Sequence, residues 1–115
     1  MLRTSLALSI ITAQPVRLVP IRAKRSKPGL QAQHLASVHA AQTVCNATVS
    51  GDKLGSQSVT FHPSDVNGGT YYFKIGTAGA TALVLHTIYL PLLLRAKEPS
   101  EVRIEGGTHA LMAPS

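Results

Sequence analysis

Acidic residues are scarce in this chain, and none occurs before Asp52. Its 115 residues hold only Asp52, Asp65, Glu98, Glu101 and Glu105, which poorly supplies any acid–base chemistry built on paired carboxylates. Cysteine is scarcer still. A lone Cys45 excludes an internal disulfide and any Cys-rich zinc site, and a reducing compartment is the simpler assumption. The histidines, His34, His39, His62, His86 and His109, lack the paired spacing that sets two imidazoles on one helix face as metal ligands. No Ser-His-Asp or Cys-His pairing can be assigned. No convincing secretory signal is present either, so Asn46-Ala47-Thr48 reads as a chance glycosylation sequon.

Positive charge is what the chain has, and it is unevenly placed. Arg3, Arg17, Arg22, Lys24, Arg25 and Lys27 precede the first acid and carry the whole formal net charge of +6. From Asp52 onward, Lys53, Lys74, Arg95, Lys97 and Arg103 balance the five acids. Such asymmetry points to a polyanionic partner, set against the plainer reading of a solvated basic face. Arg22, Lys24, Arg25 and Lys27 stand between a strand-like apolar segment and Pro28-Gly29. Guanidinium forks held between rigid neighbours suit the geometry of phosphate.

A hydrophobic content of 44% is enough for one globular domain to bury a core. Leu2, Leu6, Ile10 and Ala13 recur at helical spacing and stop before Pro15, and residues 16–21 follow as a strand with Pro20 near its end. Pro28-Gly29 is expected to open a second helix reaching about Cys45. Leu35, Val38 and Cys45 would form its apolar face, with Gln31 and His34 on another. The period then changes to two: Val59 and Phe61 in one run, Tyr71, Phe73 and Ile75 in another. Pro63, Asp65 and Asn67-Gly68-Gly69 lie between them, which predicts a hairpin.

Gly76-Thr77-Ala78-Gly79-Ala80 leads into a third helix ending near Arg95. Unpaired N–H groups at such a start can hold an anion, although the loop lacks the spacing and lysine of a P-loop, and Thr77 serves equally as an ordinary cap. Val102 and Ile104 alternate with charged residues as a last strand. Residues 75–94 carry no charge, but glycines, threonines, His86 and Pro91 interrupt them, so a buried core helix is preferred to a membrane span. A mitochondrial leader is disfavoured because only Arg3 lies on the first helical stretch. The expected class is α/β (α+β), with helix-strand units that restart after Ile75 and a mixed sheet covered by helices on one face. His86 interrupts the third helix either as a core histidine or as a polar group aimed into a cleft.

Six blocks in order carry a resemblance over nearly the whole chain. They are Leu2-Arg3-Thr4, Ile21-Arg22-Ala23-x-Arg25-Ser26-Lys27-Pro28-Gly29-Leu30-x-x-Gln33-His34-Leu35, Leu54-Gly55-Ser56, Gly68-Gly69-x-Tyr71, Ile75-Gly76-Thr77-Ala78-Gly79 and Gly106-Gly107-Thr108-x-x-x-x-Ala113-Pro114. Together they resemble the N-terminal part of the RNA 3'-terminal phosphate cyclase family. The resemblance implies an enzyme that uses ATP and Mg2+ or Mn2+ to turn an RNA 3'-phosphate into a 2',3'-cyclic phosphate. A histidine is adenylylated, AMP passes to the RNA phosphate, and the 2'-hydroxyl then displaces AMP. It also implies repeated α/β units like the C-terminal domain of translation initiation factor three, an architecture shared with enolpyruvyl transferases.

By the same resemblance, Arg3, Arg22, Arg25 and Gln33 match polar positions lining the family's phosphate and RNA site. His86 falls where the family usually has a glutamine near nucleotide and metal. The family's first strand with its Glu-Gly-Gly-Gly-Gln segment, a source of a metal-site carboxylate, is not matched, nor is the distant nucleophilic histidine. No catalytic residue and no metal ligand are therefore assigned. Residues 1–115 are expected to be a partial cyclase domain of about one and a half repeat units, inactive alone and with uncovered edges and apolar faces. Its partners would be ATP and RNA with a 3'-phosphate end, not DNA or membrane, inside the cell in nucleus or cytoplasm. The alternative is a noncatalytic cyclase-like RNA-binding factor of ribosome assembly, and a small membrane protein ranks third.

Overall fold

The computed structural model describes residues 2–19, 29–74, 78–105 and 109–113. Helix α1 (Leu2–Thr12) buries Leu6 and Ile10, one turn apart on a single face. It ends as a closed left-handed turn. Ala13 has φ 58, its N–H donates to the Ile10 carbonyl at 3.3 Å, and the Gln14 N–H donates to the Ser9 carbonyl at 3.1 Å. Strand β1 (Val16–Leu18) follows, shorter within the described residues than the sequence pattern; residues 20–28, with the basic run, lie outside them.

Helix α2 (Ala32–Cys45) starts later than Pro28-Gly29. Gly29 has φ +88 and cannot belong to a right-handed helix, and the next residue is committed elsewhere. The Leu30 N–H donates to the Ser56 carbonyl and the Gly55 N–H to the Leu30 carbonyl, both at 2.8 Å. This reciprocal clasp joins Leu30 to the loop of residues 51–58. The helix then begins at Gln31, whose side chain accepts from the N3 backbone while the Gln31 N–H donates to His34 Nδ1 at 3.4 Å. Gln31 and His34 are thus a capping pair. Asn46 ends α2 in the left-handed region (φ 53), and its amide donates to the Asp65 carbonyl at 3.4 Å, a structural role for the sequon asparagine.

Strands β2 (Thr48–Ser50) and β3 (Val59–His62) come next, then β4 (Gly69–Lys74), α3 (Ala78–Arg95), β5 (Ser100–Glu105) and β6 (His109–Ala113). The two runs predicted as a hairpin do not pair with each other. β3 lies between β1 and β2, antiparallel to both, with Phe61 opposite Val16 and Val49. β4 instead pairs in parallel with β5, and β5 pairs antiparallel with β6. The expected mixed sheet is therefore β4-β5-β6, beside a separate antiparallel one. Turn residues signalled a bend after β3, but the partner of β4 is chosen by α3, which returns the chain alongside it as a parallel neighbour.

One hydrophobic core unites these layers. Val84, Ile88 and Leu92 of α3 meet Leu6 and Ile10 of α1, Val38, Ala41 and Val44 of α2, Val59 and Phe61 of β3, and Val102 and Ile104 of β5. Pro91 lies inside α3, where it removes one ladder bond without ending the helix. Among the described residues no helix is long and apolar enough to cross a membrane. A Cβ on Gly29 would meet the Gly55 carbonyl oxygen at 2.2 Å, in a backbone conformation that disfavours any side chain. Gly29→Ala should therefore cost about 2 kcal/mol or more in urea denaturation, whereas an unchanged midpoint would mean the clasp is not tight.

Candidate functional site

Helices α1 and α3 run side by side in the same direction, fixed by a contact at each end. At one end Arg3 Nη1 lies 2.9 Å from His86 Nδ1. At the other, Arg95 Nη1 donates to the Ile10 and Ile11 carbonyls at 3.2 and 3.0 Å. Arg95 thus occupies the C-terminal end of α1, where terminal carbonyls and the helix dipole both favour a cation. Sequence reasoning had used Arg95 only to end the third helix; a cation in its last turn was the available signal, but not which helix it would cap.

The Arg3–His86 contact sets its own chemistry. Arginine offers only donors, so His86 Nδ1 accepts, and the proton of a neutral ring then sits on Nε2. Both residues are exposed, at the mouth of a groove of about 400 Å³ along the α1–α3 seam. The groove is otherwise lined by Thr4, Ala7, Leu8, Ile11, Tyr89 and Leu90, so among the described residues its lining holds no carboxylate. Of the two roles open to His86, the polar group at a cleft is the one realised. Gln33 lies exposed in the first turn of α2, and no described side-chain contact joins it to the pair. Arg22 and Arg25 lie outside the described residues.

A second hollow of about 450 Å³ is lined by Asp65, Val66, Asn67, Gly68, Arg95, Lys97 and Glu98. Its opposite charges oppose each other, so it selects no simple ion. Among the described residues no three His, Cys, Asp or Glu stand close enough to hold a metal ion. His39 Nε2 approaches Asp52 Oδ2 at 3.2 Å, tying α2 to the following loop. Cys45 is buried, which pushes its thiol up, partly opposed by hydrogen bonds from the Ser64 and Ala47 backbone and by Arg95. It is a protonated core thiol, not a nucleophile. Tyr71 is pushed up too, first by burial and then by the Glu98 charge.

Comparison with known proteins now bears on this geometry. The family model for RNA 3'-terminal phosphate cyclase matches residues 1–115. The chain is 52% identical over 113 residues to an RNA 3'-terminal phosphate cyclase of Ectopseudomonas mendocina, covering 98% of this chain and 33% of that protein. It is 53% identical to the Pseudomonas fluorescens cyclase with the same coverage, and 52% identical over 114 residues to that of Salmonella enteritidis, covering 99% of this chain and 33% of the relative. These sequence matches place the chain, and its α/β architecture is consistent with them. It belongs to the RNA 3'-terminal phosphate cyclase family. It spans about a third of the length of the curated relatives it matches.

Arg95→Met should lower stability by about 1–2 kcal/mol, because the last carbonyls of α1 lose a charged donor; an unchanged urea midpoint would contradict the capping role. The thiol predicts a pH slope. Above about pH 8.5 the unfolded chain ionises Cys45 while the folded chain keeps its proton, so the folded state binds more protons and stability falls as pH rises. Tyr71 adds a fall of the same sign above about pH 10. Cys45→Ala should flatten the earlier part of that slope, read from urea midpoints between neutral and alkaline pH.

Proposed function

We propose that this chain supplies phosphate-recognising residues to an RNA 3'-phosphate cyclase, a ligase-type enzyme of intracellular RNA end processing in nucleus or cytoplasm. The reaction would convert an RNA 3'-phosphate to a 2',3'-cyclic phosphate. ATP would release pyrophosphate and provide the AMP that joins the RNA phosphate in a phosphoanhydride, from which AMP is a good leaving group, and a divalent cation, Mg2+ or Mn2+, would assist. The described residues offer no cluster of three His, Cys, Asp or Glu ligands for that metal. None of the five histidines is proposed as the adenylylated nucleophile.

One observation carries the reading: Arg3 is exposed at a groove mouth that no carboxylate faces and is held by a neutral acceptor, so its charge remains available to an anion. Arg22 and Arg25 would add cations from the basic segment, and Gln33 a neutral hydrogen-bonding group. Together they would hold the terminal phosphate and offset charge as the 2'-hydroxyl attacks phosphorus and AMP leaves. At a third of its relatives' length, the chain alone is expected to bind without turning over.

The test is fluorescence anisotropy with a short RNA ending in either 3'-phosphate or 3'-hydroxyl, run at several salt concentrations. The phosphate end should bind several-fold tighter, and Arg3→Ala should weaken it about tenfold. Incubation with ATP and Mg2+ should give no cyclic product. Equal, salt-sensitive affinity for both ends would instead support a noncatalytic RNA-binding factor. Cyclic product made by the chain would overturn the claim that it only binds.

A further inference from the structure

We infer that the free edge of β4 is a self-complementary interface, where a second copy of this chain pairs its own β4 antiparallel about a two-fold axis at Tyr72. The two β4-β5-β6 sheets then become one continuous sheet. β4 is an outer strand of its sheet, and among the described residues no strand lies on its other side. The inference is independent of the phosphate-binding reading.

The register decides which backbone groups face that edge. Gly69 lies opposite Ser100 and its N–H donates to the Pro99 carbonyl at 3.1 Å, so Gly69 is turned toward β5. In a parallel pair, alternate residues turn both backbone groups to the same neighbour. Tyr71 and Phe73 are therefore turned toward β5 as well, whereas Thr70, Tyr72 and Lys74 present their N–H and C=O groups to the open edge. The strand is 6 residues long and has no proline to block pairing, so the edge is a usable template.

The sequence of β4 fits a second β4. Outward from Tyr72 it is symmetric in kind, with an aromatic ring on each side, Tyr71 and Phe73, and then Thr70 and Lys74. A copy rotated about Tyr72 sets Thr70, Tyr72 and Lys74 opposite the partner's Lys74, Tyr72 and Thr70. These become hydrogen-bonded pairs between groups that each strand leaves outward. Tyr71 then meets the partner's Phe73 in the closer, intervening pairs. Both are half-buried residues packed against the core, so the seam covers aromatic surface that an outer strand leaves partly open.

Charge agrees with this register. Lys74 faces the partner's Thr70, beyond which lies Glu101 on the partner's β5, and on its own side Lys74 lies beside Glu105. Each lysine thus stands between acids, and no like charges are opposed across the seam. An unrelated extended peptide would satisfy the same backbone groups without this match of rings and charges.

Sedimentation equilibrium and amide hydrogen exchange of the 115-residue chain, each from low to high concentration, test this. The mass should rise to twice that of the chain and no further. The amides of Thr70, Tyr72 and Lys74 should gain protection with concentration, while those of Tyr71 and Phe73 should not change. Thr70→Lys opposes two pairs of lysines and should weaken the dimer about fivefold, whereas Thr70→Glu should strengthen it by about as much at low salt. Thr70 is exposed, and circular dichroism checks that each variant keeps its helices. A chain that stays monomeric at every concentration overturns the inference. So does a dimer in which the three amides exchange freely, because its seam then lies elsewhere, or growth past two copies, because a second edge then takes part. Protection that appears only when an unrelated extended peptide is added would make the edge a peptide site and overturn the two-copy claim.

Discussion

Helix α3 is the constraint on which the rest of the structure depends. From Ala78 to Leu94 it carries no formal charge, so it can lie against α1, α2 and β5 at once. Its inner stripe of Val84, Ile88 and Leu92 repeats every four residues and is almost wholly buried. The polar groups it takes inside are satisfied locally: the Thr87 hydroxyl, for instance, donates to the Leu83 carbonyl at 2.8 Å. The helix also decides the sheet. By carrying the chain from β4 back to β5, it makes those strands parallel neighbours and separates β4 from the nearby β3.

Chemistry follows from the same helix. His86 lies midway between Val84 and Ile88, on the exposed side, while Arg95 closes the far end. The two cation contacts along the α1–α3 seam serve opposite ends of α1. Arg95 sits where the dipole welcomes a cation and gives the Ile10 and Ile11 carbonyls a charged donor. Arg3, toward the other end of the seam, meets the His86 ring as its partner among the described residues.

Much of this was legible in the residues. The three helices, the inward alternation of Val59 with Phe61 and of Tyr71 with Phe73, and strand β5 follow from periodicity, because each buried face repeats locally, whereas β6, beyond the strand expected to be last, was not foreseen. Pairing was less visible. A turn-rich stretch between two alternating runs looks the same whether the strands become partners or join different sheets, and here they part. β2 was too short to show an alternation, and α2 began late because Leu30 is spent on a backbone clasp that side-chain pattern does not encode. The clasp also explains why Leu30 and Gly55-Ser56 go together: each supplies backbone groups the other needs. Of the site, Arg3 and His86 were readable by resemblance but not their contact, which depends on the register of α1 against α3. Gln33 joined them as a family position, yet the fold sets it on another helix.

That register is the central claim, and proton–proton Overhauser contacts between methyl-bearing side chains of α1 and α3 in the intact chain test it most directly. Parallel helices in the described register predict contacts from Thr4 to the neighbourhood of His86, from Ala7 to the Tyr89–Leu90 region, and from Ile11 toward Arg95. Contacts in the reverse order, with Ile11 near His86, would separate Arg3 from His86 and contradict the account at its base.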